Sequence, residues 1–256
     1  MKVVIPARYD STRLPGKPLA DLGGLPMVVR TARNVQRADV DEVVIATDDR
    51  RVVEAARDHG CDVEMTDPNH PSGTDRLMEV VEKRGWSDDH LVVNVQGDEP
   101  LVPADVLNQL NRSMVATEFG VGTLCERVGS TEELFNPNVV KVVKSDQGRA
   151  LYFSRAPIPW HREGFQADRS RLPEDTAYYR HIGIYAYRAS TLRAFVDLSQ
   201  GMLERAESLE QLRLLQGGID MLVVEACAPV PGGVDTPEDL EAMRALLAAG
   251  EPPAAS

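Results

Sequence analysis

The segment Ala7-Arg8-Tyr9-Asp10-Ser11-Thr12-Arg13-Leu14-Pro15-Gly16-Lys17-Pro18 gathers three cationic side chains around a glycine in one short stretch. With Lys2, residues 1–17 hold four cations against Asp10 alone, whereas the whole 256-residue chain carries a formal charge of −12. Backbone amides free to turn and concentrated positive charge suit a polyphosphate. Two familiar phosphate loops do not fit: Lys17 is followed by Pro18 rather than Ser or Thr, the leading glycine of a P-loop is missing, and no G-x-G-x-x-G occurs. A P-loop kinase and a nicotinamide dehydrogenase are therefore excluded.

Polyphosphate chemistry brings Mg²⁺, which takes hard oxygen ligands and few protein carboxylates. Asp98, in Val95-Gln96-Gly97-Asp98-Glu99-Pro100, follows an apolar run, and Gly97 lets the backbone turn close to a ligand. Asp235 stands in Gly232-Gly233-Val234-Asp235-Thr236-Pro237-Glu238-Asp239. Thr236 fits the helix cap there, with Pro237 at the first helical position and Asp239 three residues on, which leaves Asp235 spare. The plainer alternatives are a turn carboxylate at Asp98 and a cap at Asp235.

Further polar groups sit at element boundaries. His70-Pro71-Ser72-Gly73-Thr74-Asp75-Arg76 opens a helix, whose first amides can cap or bind a ligand. Arg155 lies between apolar or small neighbours and needs an anionic partner. His181 and Tyr185 are four apart in a strand pattern and share a face. Glu210 and Gln211 fall in Leu209-Glu210-Gln211-Leu212-Arg213, where a solvated helix face is the default.

Short β-branched runs alternate with amphipathic stretches and must position these groups: Val3-Val4-Ile5 then Met27 to Val35, Val43-Val44-Ile45 then Val52 to Arg57, Leu77 to Val81 then Leu91 to Gln96. The alternation reads as a parallel sheet with crossover helices, and ligands then lie at the carboxyl ends of the strands. After about Asn136, Val139 to Lys144 and His181 to Tyr187 look like strands without long helices, so an antiparallel extension is expected. Leu222 to Val224 is a last strand, before a helix from about Thr236 to Ala248. Asp67 to Ser72 and the charged stretch His161 to Asp175 are expected as surface loops, the second of them mobile.

Hydrophobic residues at 43% and charged residues at 27% are ordinary for a globular chain and exclude wholesale disorder. The negative charge repels nucleic acid and anionic membrane surfaces, so neither is expected as a partner. Cys61, Cys125 and Cys227 are far apart, without metal or disulfide-framework spacing. Pro6 interrupts the N-terminal run too early for a signal peptide, and no apolar run reaches about 18 residues, so the expectation is a cytoplasmic protein.

Taken together, these segments resemble the cytidylyltransferases that activate 3-deoxy-D-manno-octulosonate (KDO), the CMP-KDO synthetases. The resemblance runs from Val3 to about Leu247 through residues 7–19, Ser-Gly-Thr-x-Arg at 72–76, Val-Asn-Val-Gln-Gly-Asp-Glu-Pro at 93–100 and Asn-Pro-Asn-x-Val-Lys-Val-Val at 136–143. It continues in Leu-Tyr-Phe-Ser-Arg-Ala at 151–156, His-x-Gly-Ile-Tyr at 181–185, Leu-Glu-Gln-Leu-Arg at 209–213 and Val-Asp-Thr-Pro-Glu-Asp-Leu at 234–240.

The resemblance implies an α/β nucleotide-diphospho-sugar transferase fold, a mostly parallel central sheet flanked by helices with an antiparallel extension. It implies a single domain over 1–250, with a nucleotide-binding part (1–135), a sugar-binding and dimerisation lobe (136–232) and a closing metal loop and helix (233–250). A flexible tail, 251–256, follows. The implied reaction joins CTP and an acidic eight-carbon sugar, KDO, to give CMP-KDO and pyrophosphate with Mg²⁺, in a homodimer, for lipopolysaccharide precursors.

By the same resemblance Ala7, Arg8, Ser72, Gly73 and Arg76 hold the cytidine end, Arg13 and Lys17 neutralise the triphosphate, and Asp98 and Asp235 hold the metal. Gln96, Arg155, His181, Tyr185, Glu210 and Gln211 line the sugar pocket, with Arg155 facing the carboxylate. Alternative readings are a cytidylyltransferase for another ulosonic acid, such as 8-amino-KDO or an acylneuraminate, and a nucleotide-binding module without chemistry.

Overall fold

Val3, Val4 and Ile5 form an unbroken apolar run, and β1 (Lys2–Pro6) buries all three completely. The computed structural model describes residues 1–11 and 13–249, so the expectation of a flexible tail lies outside the described residues. The chain divides into two units, Met1–Asn108 with the closing segment from Val230, and Gln109–Pro229.

In the first unit β1 is followed by a 3₁₀ turn (Lys17–Leu19), α1 (Met27–Val35), β2 (Glu42–Thr47), α2 (Arg50–Asp58), β3 (Asp62–Met65), α3 (Gly73–Arg84) and β4 (Leu91–Asn94). α1 buries Met27, Val28, Val29, Ala32 and Val35, the apolar face of its helical period. All strand pairs are parallel, in the order β3-β2-β1-β4. The chain winds one way from β1 to β2 and the other way to reach β4. Between β1 and β4 lies the switch point, where loops at the strand ends part and leave room for a ligand.

α4 (Ala104–Val115) contains the boundary between the units. The second unit holds β5 (Val121–Arg127), α5 (Thr131–Phe135), β6 (Lys141–Lys144), β7 (Ala150–Ser154), α6 (Arg162–Ala167), β8 (Tyr179–Arg188), α7 (Ala189–Val196), α8 (Met202–Glu207), α9 (Gln211–Gln216) and β9 (Met221–Glu225). β5 runs antiparallel to β8 and parallel to β9, while β6 and β7 form a hairpin that touches β8 through Lys141 and Arg180. β5 takes both its partners, β8 and β9, from later in the chain, which draws it into the second unit.

The stretch 161–175, expected as a mobile loop, contains α6. His161 caps it, its Nδ1 accepting from the Gly164 N–H at 2.8 Å, and Phe165 is buried against Tyr178 and Leu134. Phe165, with Leu172 packed against the same cluster, anchors the stretch despite its charges. The strand expected over 91–96 ends at Asn94, where the turn at Gly97 and Asp98 begins.

The chain re-enters the first unit with α10 (Pro237–Ala248), which opens on the anticipated capping box: Thr236 accepts from Asp239 N–H, and Asp239 accepts from Thr236 N–H. Val234, Leu240 and Met243 complete a core with Leu22 and Met27, so the closing segment is packed onto the N-terminal loop region.

Candidate active site

Every candidate residue of the first unit lines one cavity of about 550 Å³ at the switch point: Ala7, Arg8, Arg13, Lys17, Ser72, Gly73, Arg76, Gln96, Asp98 and Asp235. The loop after β1 and the loop after β4 approach each other closely there. The Gly97 N–H donates to Pro6 O at 3.3 Å, and a Cβ at Gly97 would lie 3.1 Å from that same oxygen and 3.3 Å from Ala7 Cβ. Gly16, at φ +70, turns the chain into the 3₁₀ turn and thereby brings Lys17 back over the strand ends.

Lys17 is the centre of the site. Its Nζ donates to Asp98 Oδ2 and, at 2.9 Å, to Asp235 Oδ1. Arg13 lies 3.0 Å from the same Asp235 oxygen. Burial alone would lower the Lys17 pKa, but the two carboxylates outweigh it and raise it above 10.5, so the ammonium is permanently charged at neutral pH. Asp235 is free for this because Asp239, not Asp235, serves the helix start, accepting from the N–H groups of both Asp235 and Thr236.

The nucleotide-end candidates are placed less directly. Ser72 is committed to α3, accepting from Thr74 N–H and Asp75 N–H at 3.2 and 3.3 Å and donating to Asp75 at 2.6 Å. Arg8 donates to the carbonyl of His70, tying the loop before α3 to the basic segment. Arg76 is fully buried, donates to Asp48 Oδ2 at 2.6 Å and to Thr66, and so underlies the cavity wall instead of projecting from it. Asp48 and Thr66 were not anticipated; the available signal is that each directly follows the end of a parallel strand, β2 and β3.

The other sugar-pocket candidates belong to the second unit. The His181 ring packs edge-on to Phe153 at 5.0 Å and lies 5.4 Å from the Tyr185 ring, so the pair does share a face. Burial pushes the His181 pKa down to about 3 and that of Tyr185 well up, leaving both rings neutral at pH 7. Arg155 donates to the carbonyls of Glu207 (2.7 Å), Pro137 (3.0 Å) and Ser208 (3.4 Å). Three of its five N–H groups are thus used on backbone, and two are left for the anionic partner the sequence calls for. Gln211 is buried rather than on a solvated helix face, and its Nε2 has no hydrogen-bond partner among the described residues.

Asp98 and Asp235 suit a divalent ion. Their oxygens already converge on one cationic atom, and both are hard donors. Among the described residues no group of three or more His, Cys, Asp or Glu could hold a metal without help. Two carboxylates completed by substrate phosphates is the arrangement Mg²⁺ favours.

A family model described as cytidylyltransferase matches residues 2–221. The chain is 52% identical to a 3-deoxy-manno-octulosonate cytidylyltransferase of Alcanivorax borkumensis over 96% of its own length and 97% of that protein. It is equally 52% identical to the protein of that name from Vibrio vulnificus, over 96% and 98% of the two chains. A solved structure of CMP:2-keto-3-deoxy-manno-octonic acid synthetase complexed with CTP superimposes with a TM-score of 0.88 at 43% identity, covering 96% of this chain and 98% of that one. A nucleotidyl transferase from Methanothermobacter thermautotroptrophicus shares the fold, with a TM-score of 0.59 at 18% identity over 97% of each chain.

Proposed function

Since the chain belongs to the cytidylyltransferase family, we propose that it transfers CMP from CTP to KDO, releasing pyrophosphate, with the chemistry at the Lys17–Asp98–Asp235 cluster. The observation that carries this reading is the convergence of two carboxylates and an ammonium at the switch point of a parallel sheet.

The KDO anomeric oxygen attacks the α-phosphorus in line, the bond to the β-phosphate oxygen breaks with its electron pair, and the hydroxyl proton passes to water. The residues act by positioning and by neutralising charge. Lys17 and Arg13 take up negative charge on the departing pyrophosphate. Mg²⁺ held by Asp98 and Asp235 would supply Lewis-acid neutralisation of phosphate oxygens. Arg8, Ala7, Ser72 and Gly73 border the nucleotide end, with Arg76 and Asp48 stiffening the wall behind them.

On this reading Arg155, His181, Tyr185, Glu210 and Gln211 of the second unit receive the sugar acid, the two remaining Arg155 N–H groups meeting its carboxylate, and Gln96 keeps its place in the first-unit cavity. No helix among the described residues is long and apolar enough to cross a membrane. The reading extends to a cytoplasmic homodimer that supplies a lipopolysaccharide precursor.

The experiment is incubation with CTP, Mg²⁺ and KDO, 8-amino-KDO or an acylneuraminate, followed by mass analysis of the nucleotide sugar and assay of pyrophosphate. CMP-KDO as the favoured product supports the reading; another favoured acid or no pyrophosphate overturns it. Light scattering of the purified protein tests the dimer.

A further inference from the structure

Thr123 lies in β5, fully buried, opposite Tyr185 of β8. The pairing of β5 with β8 is irregular between Thr123 and Leu124: Thr123 faces Tyr185, but Leu124 faces Ile182, so Gly183 and Ile184 are looped out of register. That irregularity turns two carbonyl oxygens toward one hydroxyl. Thr123 Oγ1 lies 2.8 Å from Ile184 O and 3.1 Å from Ile182 O, and 3.0 Å from His181 Nε2.

A threonine hydroxyl has a single proton, and a carbonyl oxygen can only accept. The proton therefore points to the carbonyls, and the contact to His181 must be made by a proton on Nε2, donated to the Thr123 lone pair. A neutral imidazole has only one N–H, so Nδ1 is bare. Burial keeps the ring neutral, its pKa being pushed down to about 3. No described residue hydrogen-bonds to Nδ1.

We propose that Thr123 is a positioning residue that holds His181 as the Nε2–H tautomer, so that Nδ1 presents a fixed lone pair to a hydroxyl of the sugar acid. The proposal rests on the functional reading above and refines it. The subsite takes a donor, an alcohol O–H, and rejects a carboxylate or carbonyl oxygen, which would face the lone pair with one of its own. Thr123 does not touch the sugar; it acts through the ring.

The test uses the full-length protein labelled with ¹⁵N-histidine. Of the five histidines, His181 is assigned as the imidazole signal missing from His181→Gln, and two-bond ¹H–¹⁵N correlations report which nitrogen carries the proton. Wild type is expected to show a protonated Nε2 and a bare Nδ1. Thr123→Val keeps the side-chain shape but removes the lone pair; the tautomers should mix and the KDO KM should rise about tenfold while the CTP KM changes by less than about twofold. Thr123→Ser should restore both readouts.

A bare Nε2 in wild type overturns the proposal, as does an unchanged KDO KM in Thr123→Val or an equal rise in the CTP KM. If wild type makes no CMP-KDO, the functional reading fails, and the sugar-binding half of the proposal with it. The tautomer pattern still decides the Thr123–His181 half.

Discussion

The backbone N–H of Val234 donates to the carbonyl of Asp98 at 2.9 Å. This bond joins the turn after β4 to the loop before α10, and Gly233 packs against the same turn, where a Cβ would sit 3.3 Å from Asp98 O. The two carboxylates that meet at Lys17 are therefore fixed relative to each other by main chain, before any ligand arrives.

Because the stitch is main chain, Asp98→Asn and Asp235→Asn should each fold normally by circular dichroism. Each should lose turnover by about a hundredfold or more, since one of the two carboxylates that would hold the charge-neutralising Mg²⁺ is gone. Wild type in excess EDTA should fall to the same level, and added Mg²⁺ should restore it.

Lys17→Ala removes the ammonium shared by Asp98 and Asp235. The expected effect falls on kcat, about a hundredfold or more, with the KDO KM little changed. Steady-state kinetics with each substrate varied separately checks this.

Gly97→Ala places a Cβ against Pro6 O and Ala7 Cβ, both rigid neighbours. The loops after β1 and β4 must separate. A stability loss of about 1–3 kcal/mol in urea unfolding and a raised CTP KM are expected together.

Asp48→Ala leaves the wholly buried Arg76 guanidinium without its carboxylate. Breaking a buried pair from one side costs about 3–5 kcal/mol. Equilibrium unfolding should show that loss, and a double variant with Arg76→Met should recover part of it.

Acid should loosen the loop before α3. Burial pushes the Glu79 carboxyl up, but Lys83, the Asp67 N–H and His70 together bring it from 4.5 down to about 2. The folded value lies below the unfolded one, so this stabilisation is complete above about 4.5 and is lost as pH falls toward 2. Urea unfolding of wild type and Glu79→Gln across that range should differ at neutral pH and converge in acid.

Asp98, Asp235 and Lys17 were legible in the sequence because each stands at a punctuated boundary, a strand end, a helix start or a Pro-Gly turn. The parallel first unit was legible for a similar reason, since runs such as Val3 to Ile5 admit little but a buried strand. Asp48 and Thr123 were not, because their importance lies wholly in a partner brought close by folding, Arg76 in one case and His181 in the other. The stretch around Phe165 misled in the opposite direction: a few apolar residues without periodicity among charges say loop until a core cluster is found for Phe165 and Leu172. Arg155 is legible as needing an anionic partner, while the carbonyls that hold its guanidinium are revealed by no local pattern.

The first unit is built from two separated stretches, and Asp235 belongs to the later one. During synthesis the ribosome releases Lys17, Asp98 and the entire second unit before Asp235 emerges. A nascent chain stalled before Val234 thus leaves the Lys17 ammonium with one carboxylate instead of two and Leu22 and Met27 without their cover. Translation order therefore makes Asp235 the last of the three cluster residues to reach the site.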